Sequence, residues 1–494
     1  MKKFFEKHDL FKILTILLVI AALATWVFRY TVFQNGELMT FDEKVTGIAS
    51  IMDQSTIGLF DFNTYIMLVL YYFTNVFAFV FVVFAFYKVL GKSRIYDTIV
   101  GKISNLFKGK EILFAGISLV FYGVFTSITA EPIVALAFIP FSISVFAKLK
   151  TDKISSLAST FGGVLLGVLG ATYSTKIVGS LINYGGLNIQ LGNEMLATII
   201  LSIVALIVLM ALIYKRMTTG EELEVVEDKF IDLTPLTTKK KVKINKTSLI
   251  FTSIALAVFA IVVVLAFTPW TAFNVDTFTK LHESITTATL SSKEGSIFNA
   301  TYPIIFLGST TLTAFGEWDL FTVSAFMILM MVIIKFVANI KLDEAIEALT
   351  DGLKMSVKPA GLLIMIYAIL VFSVSYPVLP GIIAQIDKTL SADFIRPVSY
   401  MINGVLTGTF TVDMQYYSSI LGGLYSTFAK PNAVALAMQS TYALTGFIAP
   451  TSAILVLGLS MLDIKYSDYF KFIWKFLAAL FVVILIVLYI LILN

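Results

Sequence analysis

The chain contains no cysteine, and its only two histidines are His8 and His282. The absence of cysteine excludes disulfides, thiol catalysis and zinc–thiolate sites. Two isolated histidines in predicted loops give no basis for a histidine triad or a His-rich metal site, so we expect no metal. A Gly-rich phosphate loop of the GxxxxGK[ST] type is also missing, and with it any visible nucleotide-driven motor.

Charge is scarce as well, at 14% of 494 residues, whereas 58% are hydrophobic and the mean hydropathy is +0.90. This composition is typical of a polytopic membrane protein and not of a soluble domain. The first apolar run, residues 10–33, is long for a signal peptide and no small-residue cleavage site follows it. We therefore predict an all-α multi-pass protein whose first apolar run is a retained span.

Nine long apolar runs predict nine membrane spans. They cover residues 10–33, 65–90, 155–181, 195–214, 249–267, 320–337, 359–378, 433–462 and 469–493. Residues 343–355 have helical periodicity with charge on one face, which predicts an interfacial helix. Residues 302–315 are apolar but short, which favours a re-entrant or interfacial segment.

Two further segments, 112–147 and 398–426, have short apolar arms around a polar centre. Each arm is shorter than the roughly 20 apolar residues that a span needs. Lysines at both ends of 112–147 place both ends on one side of the membrane. We predict two re-entrant helical hairpins, whose tips carry Glu131 and Asp413 to membrane depth. An ionisable group there indicates a functional site.

Charge also predicts the orientation in the cell membrane. With the N-terminus inside, eight of the 36 Lys and Arg residues lie outside, namely Arg29, Lys44, Lys176, Lys280, Lys293, Lys388, Arg396 and Lys430. The positive-inside rule therefore places the N-terminus in the cytoplasm and the C-terminus outside.

The order of these elements predicts an inverted repeat. Residues 1–214 and 320–494 each read as two spans, a hairpin, a span broken by a polar run, and a last span. A charged cytoplasmic linker, 215–248, and a connecting region with span five, 249–319, separate them. The extra span inverts the second copy, so its hairpin enters from the opposite side. Inverted repeats with two broken helices are a recurring plan of secondary transporters.

Three of these segments resemble the YfcC/DcuC family of anaerobic C4-dicarboxylate-type carriers, within the broad ion-transporter superfamily. The resemblance rests on Thr129-Ala130-Glu131-Pro132, on Gly170-Ala171-Thr172, and on Ala449-Pro450-Thr451-Ser452 with the downstream Leu462-Asp463-Ile464-Lys465-Tyr466. Pro132 stands where the family usually has a second acidic residue. The resemblance implies a carrier of dicarboxylates, basic amino acids or peptides, and a homodimer.

The candidate substrate- or ion-binding residues lie at the two tips and the two breaks. They are Thr126, Ser127, Thr129, Glu131, Thr172, Ser174, Thr175, Thr409, Thr411, Asp413, Thr451 and Ser452. Each has a structural alternative: the acids could cap helices or reach the surface, and the hydroxyls could bond to the preceding turn of an intact helix. Lys176 is either a counter-ion or, our preferred interpretation, a snorkelling interfacial lysine.

We predict a secondary transporter, symporter or antiporter, that moves a small charged metabolite. Two tip carboxylates beside one lysine favour an amino acid, basic ones included, over a C4-dicarboxylate, which is the alternative. Na⁺ or H⁺ is the expected coupling ion, and no organic cofactor or nucleic-acid partner is expected. A channel would need a continuous polar pore, and an intramembrane enzyme would have only Glu131 and Asp413 to use.

Overall fold

The computed structural model is almost entirely helical. It describes residues 9–27, 31–34, 37–40, 57–173, 176–189, 196–219, 223–232, 245–290, 313–375, 378–392, 394–411, 413–425 and 430–493. Within these residues nine helices are long and apolar enough to cross a bilayer. The predicted class, an all-α multi-pass membrane protein, is confirmed.

The first part of the chain contains a short β-hairpin and a dense group of helices. The helices are α1 (Asp9–Val27), α2 (Leu59–Tyr72), α3 (Thr74–Gly91), α4 (Arg94–Phe107), α5 (Glu111–Thr129), α6 (Ile139–Leu149), α7 (Lys153–Gly170), α8 (Val178–Asn183) and α9 (Leu196–Thr218). Strands β1 (Thr31–Gln34) and β2 (Glu37–Thr40) pair antiparallel. A 3₁₀ helix, Pro132–Ala137, precedes α6.

The second part has helices and no strand among its described residues. Its helices are α10 (Lys246–Phe267), α11 (Thr277–Leu290), α12 (Leu320–Val337), α13 (Leu342–Ser375), α14 (Val378–Thr389), α15 (Arg396–Phe410), α16 (Met414–Tyr425), α17 (Pro431–Gly446), α18 (Ala453–Leu462) and α19 (Tyr466–Leu493). A 3₁₀ turn, Trp270–Phe273, follows α10. Most of the predicted segment 302–315 lies outside the described residues.

The ends of the first two predicted spans were wrong. The first span stops at Val27, and Thr31–Gln34 forms a strand, as its β-branched and aromatic residues favour. The second span is two helices, α2 and α3, that meet at Phe73. The hydroxyl of Thr74 donates to the carbonyl of Tyr71 (3.2 Å), and such local side-chain bonds compete with regular helix.

The sequence analysis also wrongly divided one helix into two elements, an interfacial helix at 343–355 and a span at 359–378. Helix α13 runs through both without interruption and contains Pro359. Its first part packs on α3 so closely that a Cβ on Gly352 would lie 2.6 Å from Ala85 Cα. One face of this part, with Ala348, Gly352 and Ser356, is buried, whereas the rest stays largely exposed. The helix continues through Pro359 because a single proline removes only one backbone hydrogen bond.

The segment 112–147 does enter and return, but its arms differ from the prediction. Helix α5 includes Thr126 to Thr129 and has 19 residues, so it counts among the nine span-length helices, whereas the 16-residue α17 does not. The chain turns at Ala130, which has a left-handed φ of 52°. The return arm is the 3₁₀ helix followed by α6. The arm length was underestimated because the polar Thr126–Thr129 turn was not assigned to the helix.

Glycine contacts show how the hairpin is packed. A Cβ on Gly163 of α7 would lie 2.8 Å from the Leu119 carbonyl of α5, and one on Gly167 would lie 2.5 Å from the Gly123 carbonyl. Gly163 and Gly167 thus allow the backbones of α5 and α7 to approach closely. Because both positions advance along α5 and α7 together, the two helices run parallel and the arm between them must reverse.

The second polar segment has the same form. A Cβ on Gly404 of α15 would meet Thr441 of α17, and one on Gly408 would meet Thr445. Helices α15 and α17 are therefore parallel, and α16 returns between them. The Tyr417 and Thr441 hydroxyls lie 2.7 Å apart and join α16 to α17.

The helices α7 and α17 run in opposite directions. Gln439 of α17 contacts the carbonyl of Ala171 at the end of α7, while Gly446, further along α17, faces Leu165, which is earlier in α7. The two hairpins therefore enter from opposite ends of the molecule. This arrangement agrees with the inverted repeat, which stays a prediction.

Residues 223–232, part of the predicted linker, lie across one end of the helices, and we call them the strap. The strap pairs with the start of α7 through the bond from Val226 N to the carbonyl of Thr151 (2.9 Å). Asp9, at the start of α1, accepts a bond from Tyr466 N, which begins α19 beside the strap. We call this end the strap face. Lys430 contacts the carbonyl of Ile492 at the opposite face.

Candidate functional site

Two breaks in the helices create the site. Helix α7 ends at Gly170 and α8 begins at Val178, while α17 ends at Gly446 and α18 begins at Ala453. In the second break Pro450 cannot continue a helical ladder, and Ser452 caps α18 by accepting a bond from Leu455 N (3.4 Å). Helix α18 has ten residues, so its start lies about 15 Å below the strap face.

A cavity of about 450 Å³ lies between both hairpin tips and both breaks. The first tip contributes Glu131 and the first break Lys176; the second tip contributes Asp413 and the second break Ser452. Four segments that are distant in sequence thus converge on one space. A concave site with a few converging polar groups is what a small ligand requires.

Glu131 and Lys176 form an ion pair in this cavity. The Lys176 Nζ lies 2.5 Å from a Glu131 carboxylate oxygen, and 5.8 Å from the centre of the Phe267 ring. The Glu131 side chain is 20% exposed and that of Lys176 is 47% exposed. Lys176 is therefore the counter-ion of Glu131, which is the alternative to the snorkelling lysine that we preferred from the sequence.

Asp413 faces the same cavity without such a partner. Its carboxylate accepts a hydrogen bond from Gln415 N (2.7 Å) at the start of α16. Among the described residues no basic side chain lies within 4 Å of it. The cavity therefore contains two carboxylates and one ammonium group, and its formal charge is negative when all three are ionised.

Two of the predicted hydroxyl residues, Thr411 and Ser452, also line the cavity. Others join the tips to the breaks instead. The hydroxyl of Thr451 donates to the carbonyl of Thr409 (2.6 Å), and that of Ser127 donates to the carbonyl of Gly170 (2.8 Å). Each hairpin tip is thus fixed to the neighbouring break by a side-chain hydrogen bond.

Three further predicted residues do not line the cavity. Thr126, Thr129 and Thr172 are buried behind it. Thr126 packs against Gly167, where a Cβ would lie 2.5 Å from the Thr126 Cβ, so its position is set by packing. Ser174 and Thr175 lie outside the described residues.

Sequence reasoning missed three tyrosines of the cavity wall, namely Tyr184, Tyr367 and Tyr442. Tyr367 of α13 stacks on Phe73, with ring centroids 4.0 Å apart. A tyrosine inside an apolar span gives no signal by itself, since aromatic residues are common throughout this chain. Tyr442 could have been found, because it directly follows the polar Gln439-Ser440-Thr441 run.

Gln439 was also missed, and it holds the first break in place. Its side chain is fully buried, and its Nε2 donates to the carbonyls of Val168 (3.0 Å), Leu169 (3.1 Å) and Ala171 (2.6 Å). The last carbonyls of a helix have no partner within the helix. Gln439 supplies that partner from α17, so the end of α7 depends on the second half of the chain.

Comparison with solved structures finds two transporters of similar length. The Neisseria gonorrhoeae protein MtrF, described as one of a class of antimetabolite efflux pumps, is 12% identical, with a TM-score of 0.36, over 97% of this chain and 94% of that chain. The Alcanivorax borkumensis transporter YdaH, described as having an unusual topology, is 13% identical, with a TM-score of 0.37, over 96% of each chain. No curated protein sequence matches this chain.

The family comparison covers nearly the whole chain. The family of C4-dicarboxylate anaerobic carriers, DcuC, matches residues 8–493, a range that includes both hairpins, both breaks and the strap. The match agrees with the resemblance seen at the tips and breaks, and it indicates a carrier and not an enzyme. This multi-pass membrane protein therefore belongs to the DcuC family of C4-dicarboxylate anaerobic carriers.

Proposed function

We propose that this carrier is a secondary active transporter of a zwitterionic substrate, an amino acid, basic ones included. The observation that carries the proposal is the cavity's charge: a Glu131–Lys176 ion pair beside Asp413, which has no basic side chain within 4 Å in the part of the chain that the structure describes. A partly buried carboxylate without an adjacent basic group favours a proton or a bound cation. The ammonium or guanidinium end of an amino acid would supply that charge.

The other end of the substrate also has suitable partners. Lys176 is about half exposed, and both Lys176 and Ala453, the first residue of α18, line the cavity. Helix N-terminal ends favour negative charge. A substrate α-carboxylate would bind near Lys176 and the start of α18.

A second candidate, cation-coupled transport of a C4-dicarboxylate, is favoured by membership of the family. A dianion would enter a cavity that already has two carboxylates, so it would need Na⁺ or H⁺ at Asp413 or Glu131 to offset the repulsion. This candidate predicts a strict dependence of uptake on a cation gradient, whereas a basic amino acid can be exchanged for another without one.

The test is counterflow in proteoliposomes that contain the purified full-length protein. Labelled arginine, alanine and succinate are compared with and without an imposed Na⁺ or H⁺ gradient. We expect amino-acid exchange, reduced at least about tenfold by Asp413→Asn and by Glu131→Gln, because each removes a charge from the site. Asp468→Asn, an exposed position on α19, is the matched control and should leave exchange unchanged.

The same experiment can reverse the ranking. Succinate uptake that requires a cation gradient, with no exchange of either amino acid, would establish the second candidate. Succinate uptake that survives Asp413→Asn and Glu131→Gln would also show that the two carboxylates do not form the site.

A further inference from the structure

The strap, residues 223–232, is a well-packed segment that the transport proposal does not use. Phe230 is 2% exposed and lies against Phe84 and Tyr87 of α3, with ring centroids 5.9 Å from each. The strap backbone also crosses α3 at Gly91, where a Cβ would lie 2.0 Å from the Phe230 carbonyl oxygen. Only glycine allows this crossing, so the strap is seated on α3 and is not a loose linker.

The strap simultaneously touches the elements that carry both breaks. It pairs by backbone hydrogen bonds with the start of α7, where Lys153 N donates to the carbonyl of Glu224 (2.9 Å). At its other end Lys229 pairs with Asp463, just after α18, and donates to the carbonyl of Met461 (3.2 Å). Helices α7 and α18 both run from the strap to the cavity, so the strap ties both to α3.

Further ion pairs extend this contact to α13. Lys358 of α13 also binds Asp463 (3.1 Å), and Lys92 of α3 pairs with Asp232 of the strap (3.3 Å). Lys92 is only 5% exposed, so this pair is largely removed from solvent. Together these contacts hold four helices at the strap face.

In the described part of the chain, the cavity is closed on the side of the strap and exposed on the other side. Between the cavity and the strap face, Gly458 of α18 packs against Leu157 and Phe161 of α7, and all three are buried. By contrast, Lys176 and Tyr184 line the cavity beyond the end of α7 and are about half exposed. Among the described residues, the exposed side of the cavity is thus the side opposite the strap.

The region of α13 and α18 that the strap covers has room for the helices to move. A small cavity of about 110 Å³ lies under Asp463 and is lined by Lys229, Met355 and Pro359. Pro359 cannot donate to the carbonyl of Met355 four residues earlier, so α13 is weakened at this point. A void beside a proline gives the helices room to shift.

We infer that the strap is the gate of the strap face: its attachment through Phe230 and Lys229 keeps the cavity closed there, and its release opens the cavity to that side. This gating goes beyond the proposed substrate, since it holds for any solute that the cavity accepts. The cavity would be accessible from one face of the membrane at a time, because the strap and the opposite opening are at different ends of the same broken helices.

The test uses a single cysteine as a reporter, since the native chain has none. Ala453→Cys lines the cavity at the start of α18. The full-length variant is placed in vesicles of determined sidedness and treated from either face with a membrane-impermeant methanethiosulfonate reagent. With the native strap we expect reaction from the face opposite the strap and almost none from the strap face.

Release of the strap should then change the rate from the strap face alone. Phe230→Ala removes the buried ring and should raise that rate at least about tenfold. Lys229→Gln removes the ion pair and should raise it a few-fold, whereas Lys229→Arg should keep the native rate. Lys471→Gln breaks the Asp468–Lys471 pair on α19 at the same face and is the control, expected to change nothing.

Reaction from the strap face at the native rate in both release variants would overturn the gate, as would rapid reaction from that face with the native strap. The labelling rate requires no substrate, so the failure of this inference is distinguishable from a failure of the transport proposal. If Phe230→Ala does not fold, Lys229→Gln and Lys229→Arg alone decide the outcome.

Discussion

At the scale of single residues, the site depends on how one ion pair and one lone carboxylate share a cavity. Glu131 and Asp413 have equivalent places at the two tips, yet only Glu131 has a basic partner, Lys176. The difference follows from the first break, which carries a lysine where the second carries Ser452. Under the proposed function we expect the two carboxylates to have different tasks: Glu131 would position Lys176, and Asp413 would attract a cation.

The coupling of Glu131 and Lys176 can be measured. Lys176→Met leaves the partly buried carboxylate of Glu131 without its partner. The loss of apparent substrate affinity in the Lys176→Met/Glu131→Gln double variant should therefore be smaller than the sum of the losses in the two single variants. We expect an interaction energy of about 1 kcal/mol from a double-mutant cycle on substrate affinity. Simple additivity of the two single changes would show that the pair does not act as a unit.

Asp463 gives a prediction about pH. Burial raises the pKa of its carboxyl, but Lys229 and Lys358 outweigh this and hold the pKa below its ordinary value of 3.8. A lowered folded-state pKa stabilises the protein above the unfolded pKa, and the contribution is lost as the pH falls through the folded value. We expect Asp463→Asn to lower the thermal unfolding midpoint at pH 7, with the difference from the native protein shrinking below about pH 4. A difference of constant size from pH 7 to pH 3 would contradict this assignment.

At the scale of elements, the close approach of α5 and α7 determines where the first tip lies. Because the hydrophobic effect does not drive helices together in lipid, their association depends on van der Waals packing. Small residues allow that packing, since they let two helix backbones approach closely. A Cβ on Gly167 would lie 2.5 Å from both the Gly123 carbonyl and the Thr126 side chain. The position of Glu131 at the end of this helix pair therefore depends on glycine at 167.

Gly167→Ala should accordingly destabilise the protein by about 1–3 kcal/mol, because neither a helix backbone nor a packed threonine can move away. The control is Gly361→Ala in α13, where nothing lies within 4 Å of the added methyl group. That change should be neutral or slightly stabilising. Thermal unfolding of both variants in the same detergent makes the comparison, and equal midpoints would contradict it.

The end of α7 gives a second prediction at this scale. Gln439→Leu removes the donor that Val168, Leu169 and Ala171 share, and leaves buried carbonyls without a partner. We expect a loss of about 1–3 kcal/mol in the free energy of unfolding, with some recovery in Gln439→His, which retains a donor. Native stability in Gln439→Leu would mean that water or another group can replace the amide.

At the scale of the whole molecule, the two hairpins enter from opposite ends and meet at one cavity. The faces can be assigned by labelling single cysteines in intact cells. Ser467→Cys lies at the strap face, and Lys430→Cys lies at the opposite face. From the charge bias we expect the first to be protected from an impermeant reagent and the second to be labelled. The reverse pattern would invert the molecule in the membrane.

The sequence by itself determined the membrane class, the two polar hairpins and the two helix breaks. Long apolar runs, and Ser/Thr stretches beside glycine or proline, are local features whose consequences do not depend on distant contacts. The same local evidence placed Glu131 and Asp413 at the tips, and both line the cavity.

Only the tertiary structure decided which residues meet. The partner of Glu131 lies 45 residues away, and the carbonyls that Gln439 binds are separated from it by about 270 residues. Likewise, burial against α3 joined two predicted elements into α13 and fixed the strap in place. Composition and periodicity describe one segment at a time, whereas these contacts arise from how the segments pack together. The sequence alone therefore could not predict which residues line the cavity or how it is closed at the strap face.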